Sequence, residues 1–278
     1  MKYCFLLIGL FFLGCQKENN TLLEQTSLDV AYGSDPAQKM DIYLPADRSS
    51  ASTKVIILVH GGGWTLQDKS DFTPYVDTLK KRLPGYAIFN INYRLATGSS
   101  NFFPAQENDV KAALEFIFSK IAEYKISPKF VMLGASAGAH LSLLQAYKYT
   151  SPVKIKAVVD FFGPTDMVDM YNNPASSWAS SSAIAAIVGA TPASNLSLYQ
   201  QSSPINFVTA QSPPTIILQG GADVLVSPSQ SIALNNKLQA MGVVHQYVFY
   251  PSENHGWFGP NLSDSFDKIQ TFLMTNVN

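Results

Sequence analysis

Short, nearly continuous apolar runs alternate with helix-like segments along most of the 278-residue chain. The runs "KVIILVH" (54–60), "YAIFNINY" (86–93), "FVMLG" (130–134), "IKAVVDFFG" (155–163), "TIILQGG" (215–221) and "HQYVFYP" (245–251) are apolar, β-branched or aromatic. Strands covered on both faces require that composition. Between them the pattern predicts helices over 72–83, 105–122, 137–148 and 228–240, with a last one over 264–275. Two strands precede the alternation, Leu28 to Tyr32 and Lys39 to Leu44, joined by a Gly-Ser-Asp-Pro turn into an antiparallel hairpin. The expected class is therefore α/β, with a mostly parallel eight-stranded sheet and helices on both faces.

One region breaks the pattern. From Thr165 to Pro214 the chain is rich in Ser, Ala, Asn and Pro, and "SSWASSSAIAAIVG" offers one short helix. A connection of that length reads as a small insert above the sheet, before the last strands. Its Tyr171, Trp178 and Tyr199 are candidates for aromatic walls around a sugar or phenolic group, or for the insert's own core.

The first residues, "MKYCFLLIGLFFLGC", carry one positive charge and an apolar run from Tyr3 to Leu13. That run is too short to span a bilayer and has the form of an export signal. The ending "FLGC" resembles the bacterial lipobox, with Phe12 where leucine is usual. The resemblance implies a signal over 1–14, lipidation of Cys15, and anchoring in the bacterial envelope, facing the periplasm or on the cell surface. Cys4 then leaves with the signal and Cys15 becomes a thioether, so no disulfide forms. The polar "QKENNTLLEQT" extends the tether through 26 and leaves 27–278 as one α/β domain, with the insert at about 165–214. A net charge of −1 gives no footing for nucleic acid.

Candidate chemistry centres on Ser136 in "VMLGASAGAHLSLL" (131–144), between a strand and a helix. A nucleophile elbow needs small residues two before and two after the serine, so that strand and helix can approach, and Gly134 and Gly138 hold those positions. A serine hydroxyl needs a base, and the base an acid to orient it. Of four histidines, His140 lies on the serine's own helix and points into packing, and His245 opens an apolar strand. His255 lies in the Gly-bounded loop "PSENHGWFG" after the last strand, where a base can reach over the sheet edge. Asp223, in "LQGGADVLVSP", sits one strand earlier, and the order Ser136, Asp223, His255 is that of the α/β-hydrolases. Asp160 and Asp166, at the end of the strand after the serine helix, the first inside an apolar run and the second after a Gly-Pro turn, are the rival acids. The triple glycine of "LVHGGGW" (58–64) leaves backbone N–H groups open to an oxyanion. Gly62 or Gly63, together with Ala137, are the candidate donors, and His60 is read as holding the loop.

Taken together, "HGGGW", "NYRLA", "FPAQENDVKAALEFI", "GASAGAHL", "GGADVLV" and "ENHGW" resemble the α/β-hydrolase esterases related to hormone-sensitive lipase and to bacterial feruloyl and acetyl-ester esterases (BD-FAE-like). The resemblance implies Ser136 as nucleophile, His255 as base, Asp223 as its partner, and the Gly62, Gly63 and Ala137 amides as oxyanion hole. It implies a small-molecule or carbohydrate-linked ester as substrate and no cofactor. The missing proline after "YRLA" and the absence of a long N-terminal cap favour the carbohydrate-ester branch over lipases. Arg94 reads as a loop tie to Glu107 or Asp109. The histidines and cysteines lack metal-ligand spacing, and the glycine loops lack the lysine of a phosphate cradle. A lipase, a peptidase or formamidase of the same fold, and a binding module without catalysis are the alternatives.

Overall fold

The computed structural model describes residues 22–277; the export signal, the lipobox and Cys15 lie outside them. Eight strands, β1 (Gln25–Ala31), β2 (Lys39–Leu44), β3 (Lys54–Val59), β4 (Tyr86–Ile91), β5 (Phe130–Ala135), β6 (Ala157–Phe161), β7 (Thr215–Gly220) and β8 (His245–Tyr250), form one sheet in the order β1-β2-β4-β3-β5-β6-β7-β8. The last six run parallel, while β2 pairs antiparallel with both β1 and β4. All six parallel strands therefore end along one edge, where loops can converge on a site.

The helices are α1 (Thr73–Arg82), α2 (Ala105–Ser119), α3 (Ile121–Tyr124), α4 (Ala137–Lys148), α5 (Met167–Asn172), α6 (Ser181–Val188), α7 (Leu196–Gln201), α8 (Pro228–Ala240) and α9 (Gly259–Asn276). Strand alternation divides the core into two layers. Val55, Ile57 and Val59 face a cluster with Val110 of α2, Leu141 of α4 and Leu234 of α8, while Ile56 and Leu58 face Val76 of α1 and Phe266 of α9. Continuous apolar runs follow, because both faces of each central strand are covered.

Three expectations change. β1 begins at Gln25 rather than Leu28, and the backbone is tied down from Leu22, whose carbonyl accepts the Asp47 N–H at 2.8 Å. The helix expected over 105–122 is two, α2 and α3, divided at Lys120. The insert holds three short helices instead of one. Asp166, Ser180 and Asn195 each accept a hydrogen bond from the first turn of the helix they precede. Polar residues that read as loop are thus caps, while Met170, Ile184 and Tyr199 join the core on one face of the sheet. No helix among the described residues is long and apolar enough to cross a membrane.

Candidate active site

Ser136 sits on the turn between β5 and α4 with φ 55° and ψ −122°. Its N–H is held by the carbonyl of Phe161 at 2.8 Å. The turn can be this tight because of its glycines. A Cβ on Gly138 would stand 2.0 Å from the Val59 carbonyl oxygen, and one on Gly134 would stand 2.3 Å from the Gly138 carbonyl. Close passage of helix and strand projects the serine hydroxyl above the sheet edge.

His255 arrives from the loop after β8. Its Nε2 lies 2.9 Å from Ser136 Oγ and its Nδ1 2.8 Å from Asp223 Oδ2. The Asp223 carboxylate can only accept, so Nδ1 carries the proton and Nε2 is open to the serine hydroxyl. Two features hold the imidazole: the Phe162 ring packs against it at 4.6 Å, and Asn254 Oδ1 accepts the N–H groups of Val224 and His255, tying the acid loop to the histidine loop.

Asp223 is buried. Its Oδ1 accepts the Leu225 and Val226 N–H groups at 2.8 and 2.9 Å. Gln219, inside β7, donates to Oδ2 at 3.2 Å and takes the Ser231 hydroxyl on its own Oε1 at 2.7 Å. Nothing in the sequence distinguishes Gln219 from a strand residue; only the four-residue spacing to Asp223 across the turn hints at contact.

The rival acids are engaged elsewhere. Asp160 is buried within β6, where Oδ1 takes the Gly163 N–H at 2.8 Å and Oδ2 has no partner. Desolvation pushes its carboxyl up to about 7. Asp166 Oδ1 caps α5 through the Val168 and Asp169 N–H groups.

The glycine loop passes beside the serine. A Cβ on Gly61 would lie 3.4 Å from that of Ser136. Gly62 and Gly63 have φ of 91° and 57°, a region that side chains disfavour. Their N–H groups and that of Ala137, at the first position of α4, donate to no other group among the described residues. His60 stacks on Tyr93 at 4.3 Å, and the Tyr93 hydroxyl lies 3.0 and 2.9 Å from the His60 and Gly61 carbonyls. Behind the loop, the Trp64 indole donates to Nδ1 of buried His140, whose Nε2–H donates to the Ser202 carbonyl at 2.7 Å. His140 therefore joins the glycine loop, the serine helix and the insert. Burial holds it down at about 4, so it stays neutral. His245 lies at the far end of β8, with Nδ1 on the Val243 carbonyl at 2.8 Å.

Arg94 makes a bidentate pair with buried Asp109, while Glu107 pairs with Lys148 and Tyr149. Of the insert aromatics, Tyr171 packs edge-on against buried Tyr199 at 5.7 Å and serves the insert's core. Trp178, 83% exposed, lines the cleft over Ser136. That cleft measures about 1080 Å³ and is walled by residues such as Leu66, Phe162, Ile187 and Phe258, with Gly61 to Gly63 and His255 at its floor.

A strained serine between β5 and α4, with a histidine and an acid arriving from the loops after β8 and β7, defines an α/β-hydrolase. Residues 40–238 match the BD-FAE family, and the chain belongs to it. It is 28% identical to Esterase LipQ of Mycobacterium tuberculosis over 84% of this chain and 57% of that protein. Among solved structures it is similar to a truncated form of a carbohydrate esterase from gut microbiota. That likeness has 28% identity and TM-score 0.78, over 91% of this chain and 96% of that one. It is also similar to a bifunctional GH43-CE of Bacteroides eggerthii, with 30% identity and TM-score 0.77, over 91% of this chain and 38% of that one. The chain spans about half the length of the curated relatives it matches.

Proposed function

We propose that the chain is a serine carboxylesterase that removes acyl groups from small or carbohydrate-linked esters. The observation that carries this reading is the unbroken line Ser136 Oγ, His255 Nε2, His255 Nδ1, Asp223 Oδ2, with links of 2.9 and 2.8 Å, opening into a cleft beside unengaged loop amides. His255 takes the proton of Ser136 as the oxygen attacks the ester carbonyl. The amides of Gly62 or Gly63 and of Ala137 receive the developing oxyanion. His255 then protonates the departing alcohol, and water repeats the sequence to free the acid. Asp223 holds the ring in the required tautomer, and Gln219 holds Asp223.

Two considerations support a carbohydrate ester. A likeness at 28% identity runs over nearly the full length of a structure described as a carbohydrate esterase, and exposed Trp178 stands at the cleft mouth where a sugar ring can stack. We also propose export and lipidation at Cys15, which would set the domain in the bacterial envelope. A fluorophosphonate probe tests the mechanism: the wild type should label at Ser136, and Ser136→Ala and His255→Ala should not. Nitrophenyl esters of increasing acyl length, with matching anilides, then separate esterase from lipase and amidase. A wild type that does not label would overturn the reading in favour of a binding module.

A further inference from the structure

The end of the sheet opposite the cleft is cationic. Lys54 begins β3, Lys129 immediately precedes β5 and Lys156 immediately precedes β6. These strands are neighbours, so three lysines stand in a row across the sheet edge. The pairing is close: the Val55 N–H donates to the Lys129 carbonyl, and the Lys156 N–H to that of Phe130. Lys125 and Lys154 are exposed in the loops at the same edge. Among the described residues none of these five forms an ion pair with a carboxylate. The acids towards this end are Glu24, Glu123 and Asp267, already paired to Lys80, Lys120 and Arg82, Glu115 beside Lys111 near the end of α2, and exposed Asp47. The cleft end carries more acids than bases: Asp68, Asp71, Asp166, Asp169 and Glu253 stand in the connections after β3, β6 and β8, against Lys39, Lys69 and Arg94, of which Lys69 is paired to Asp29 and Asp41 and Arg94 to Asp109. A net charge of −1 thus conceals a strong dipole.

The described chain begins at the cationic end. Gln25 pairs with Leu44, at the end of β2 beside the start of β4, and Arg48 bonds the carbonyls of Leu23 and Tyr124 there. Only six residues lie between Cys15 and Leu22, and the seven steps this makes reach about 25 Å even at full extension. We infer that this lysine-bearing end rests on the anionic bilayer surface that holds the lipid of Cys15, and presents the cleft away from the membrane. The inference depends on the proposed anchor. Short reach supplies proximity, and the charge dipole selects one orientation: lysines are drawn to anionic headgroups within about a Debye length, while the acidic cleft end is repelled. Each lysine near such a surface raises partitioning about fivefold. The geometry suits an esterase acting on polymers outside the cell, since it keeps the leaflet clear of the cleft mouth.

The test uses the full lipidated chain in vesicles of phosphatidylcholine with or without phosphatidylglycerol. Mass spectrometry of the N-terminal peptide first reads the lipid on Cys15. A fluorophore goes on Ser50→Cys, exposed in the loop between β2 and β3, or on Ser99→Cys, exposed in the loop after β4 near the cleft. Spin-labelled headgroups should quench the first and spare the second in anionic vesicles. High salt, neutral vesicles, or the triple change Lys129→Glu, Lys154→Glu and Lys156→Glu should abolish that difference, with turnover of a soluble nitrophenyl ester unchanged. Equal quenching of both labels in anionic vesicles would overturn the orientation while leaving the anchor intact. An unlipidated Cys15 would overturn both, and leaves the nucleophile labelling to be judged separately.

Discussion

Ser136 has a histidine on each side. His255 reaches it from above, on the loop after β8 and just before Gly256, with 14% of its side chain exposed and Nε2 open to the serine. His140 lies below, one helical turn along α4, fully buried, with both ring nitrogens engaged. The residue type is the same, and environment divides the work: an imidazole with a free, solvent-near nitrogen can exchange a proton, while one held between an indole and a carbonyl is a neutral brace. What equips a histidine for proton transfer is a nitrogen lone pair aimed at a hydroxyl, as on His255, and a ring with both nitrogens held by buried partners lacks it.

The largest expected effect is on the upper side. Ser136→Ala or His255→Ala should cut kcat by about three orders of magnitude or more, with the melting temperature of Ser136→Ala unchanged or raised; steady-state kinetics and calorimetry on the same preparations check this. On the lower side His140→Leu should leave the triad in place yet cost about 3 kcal/mol of stability, read by denaturant unfolding. It leaves the Trp64 N–H and Ser202 carbonyl buried without partners.

The pH dependence of stability sharpens the contrast. The folded chain holds His140 down at about 4 against 6.5, so as pH falls through that window the unfolded state binds the proton first and stability is lost. Asp160, pushed up from 3.8 to about 7, acts oppositely: the folded state keeps its proton, and stability is lost as pH rises from about 4 to about 7. The two slopes oppose one another over most of this range. Relative to wild type, His140→Gln should make the melting temperature fall more steeply with rising pH, and Asp160→Asn should tilt it the other way. Parallel profiles for all three would refute the assignment.

Smaller effects follow from the supports. Gln219→Leu should lower kcat roughly tenfold through misplacement of Asp223. Trp178→Ala should raise KM about threefold for an aryl or glycosyl ester and leave kcat unchanged.

The regular part of this molecule was legible from its pattern, because strands covered on both faces have no choice but to be apolar throughout. Ser136, Asp223 and His255 could be nominated because each sits at a strand end in a known chain order. The insert was misread for a local reason: Asp166, Ser180 and Asn195 look like loop residues until they are seen to cap helices. The braces were out of reach for a different one. Trp64, His140 and Ser202 are separated by 76 and 62 positions, and Gln219 meets Ser231 twelve residues on. Such contacts exist only after the sheet has assembled and carry no local signature.

The backbone of Ser136, at φ 55° and ψ −122°, has an evolutionary consequence. A side chain there costs of order 1–3 kcal/mol that glycine would not incur, so Ser136→Gly should melt higher than the wild type while losing turnover. Folding alone would let mutation drift replace this serine. Fold stability gives the serine no hold on this position, and a lineage that ceased to use the cleft would be expected to shed it before Gly134 and Gly138, whose replacement the packing forbids.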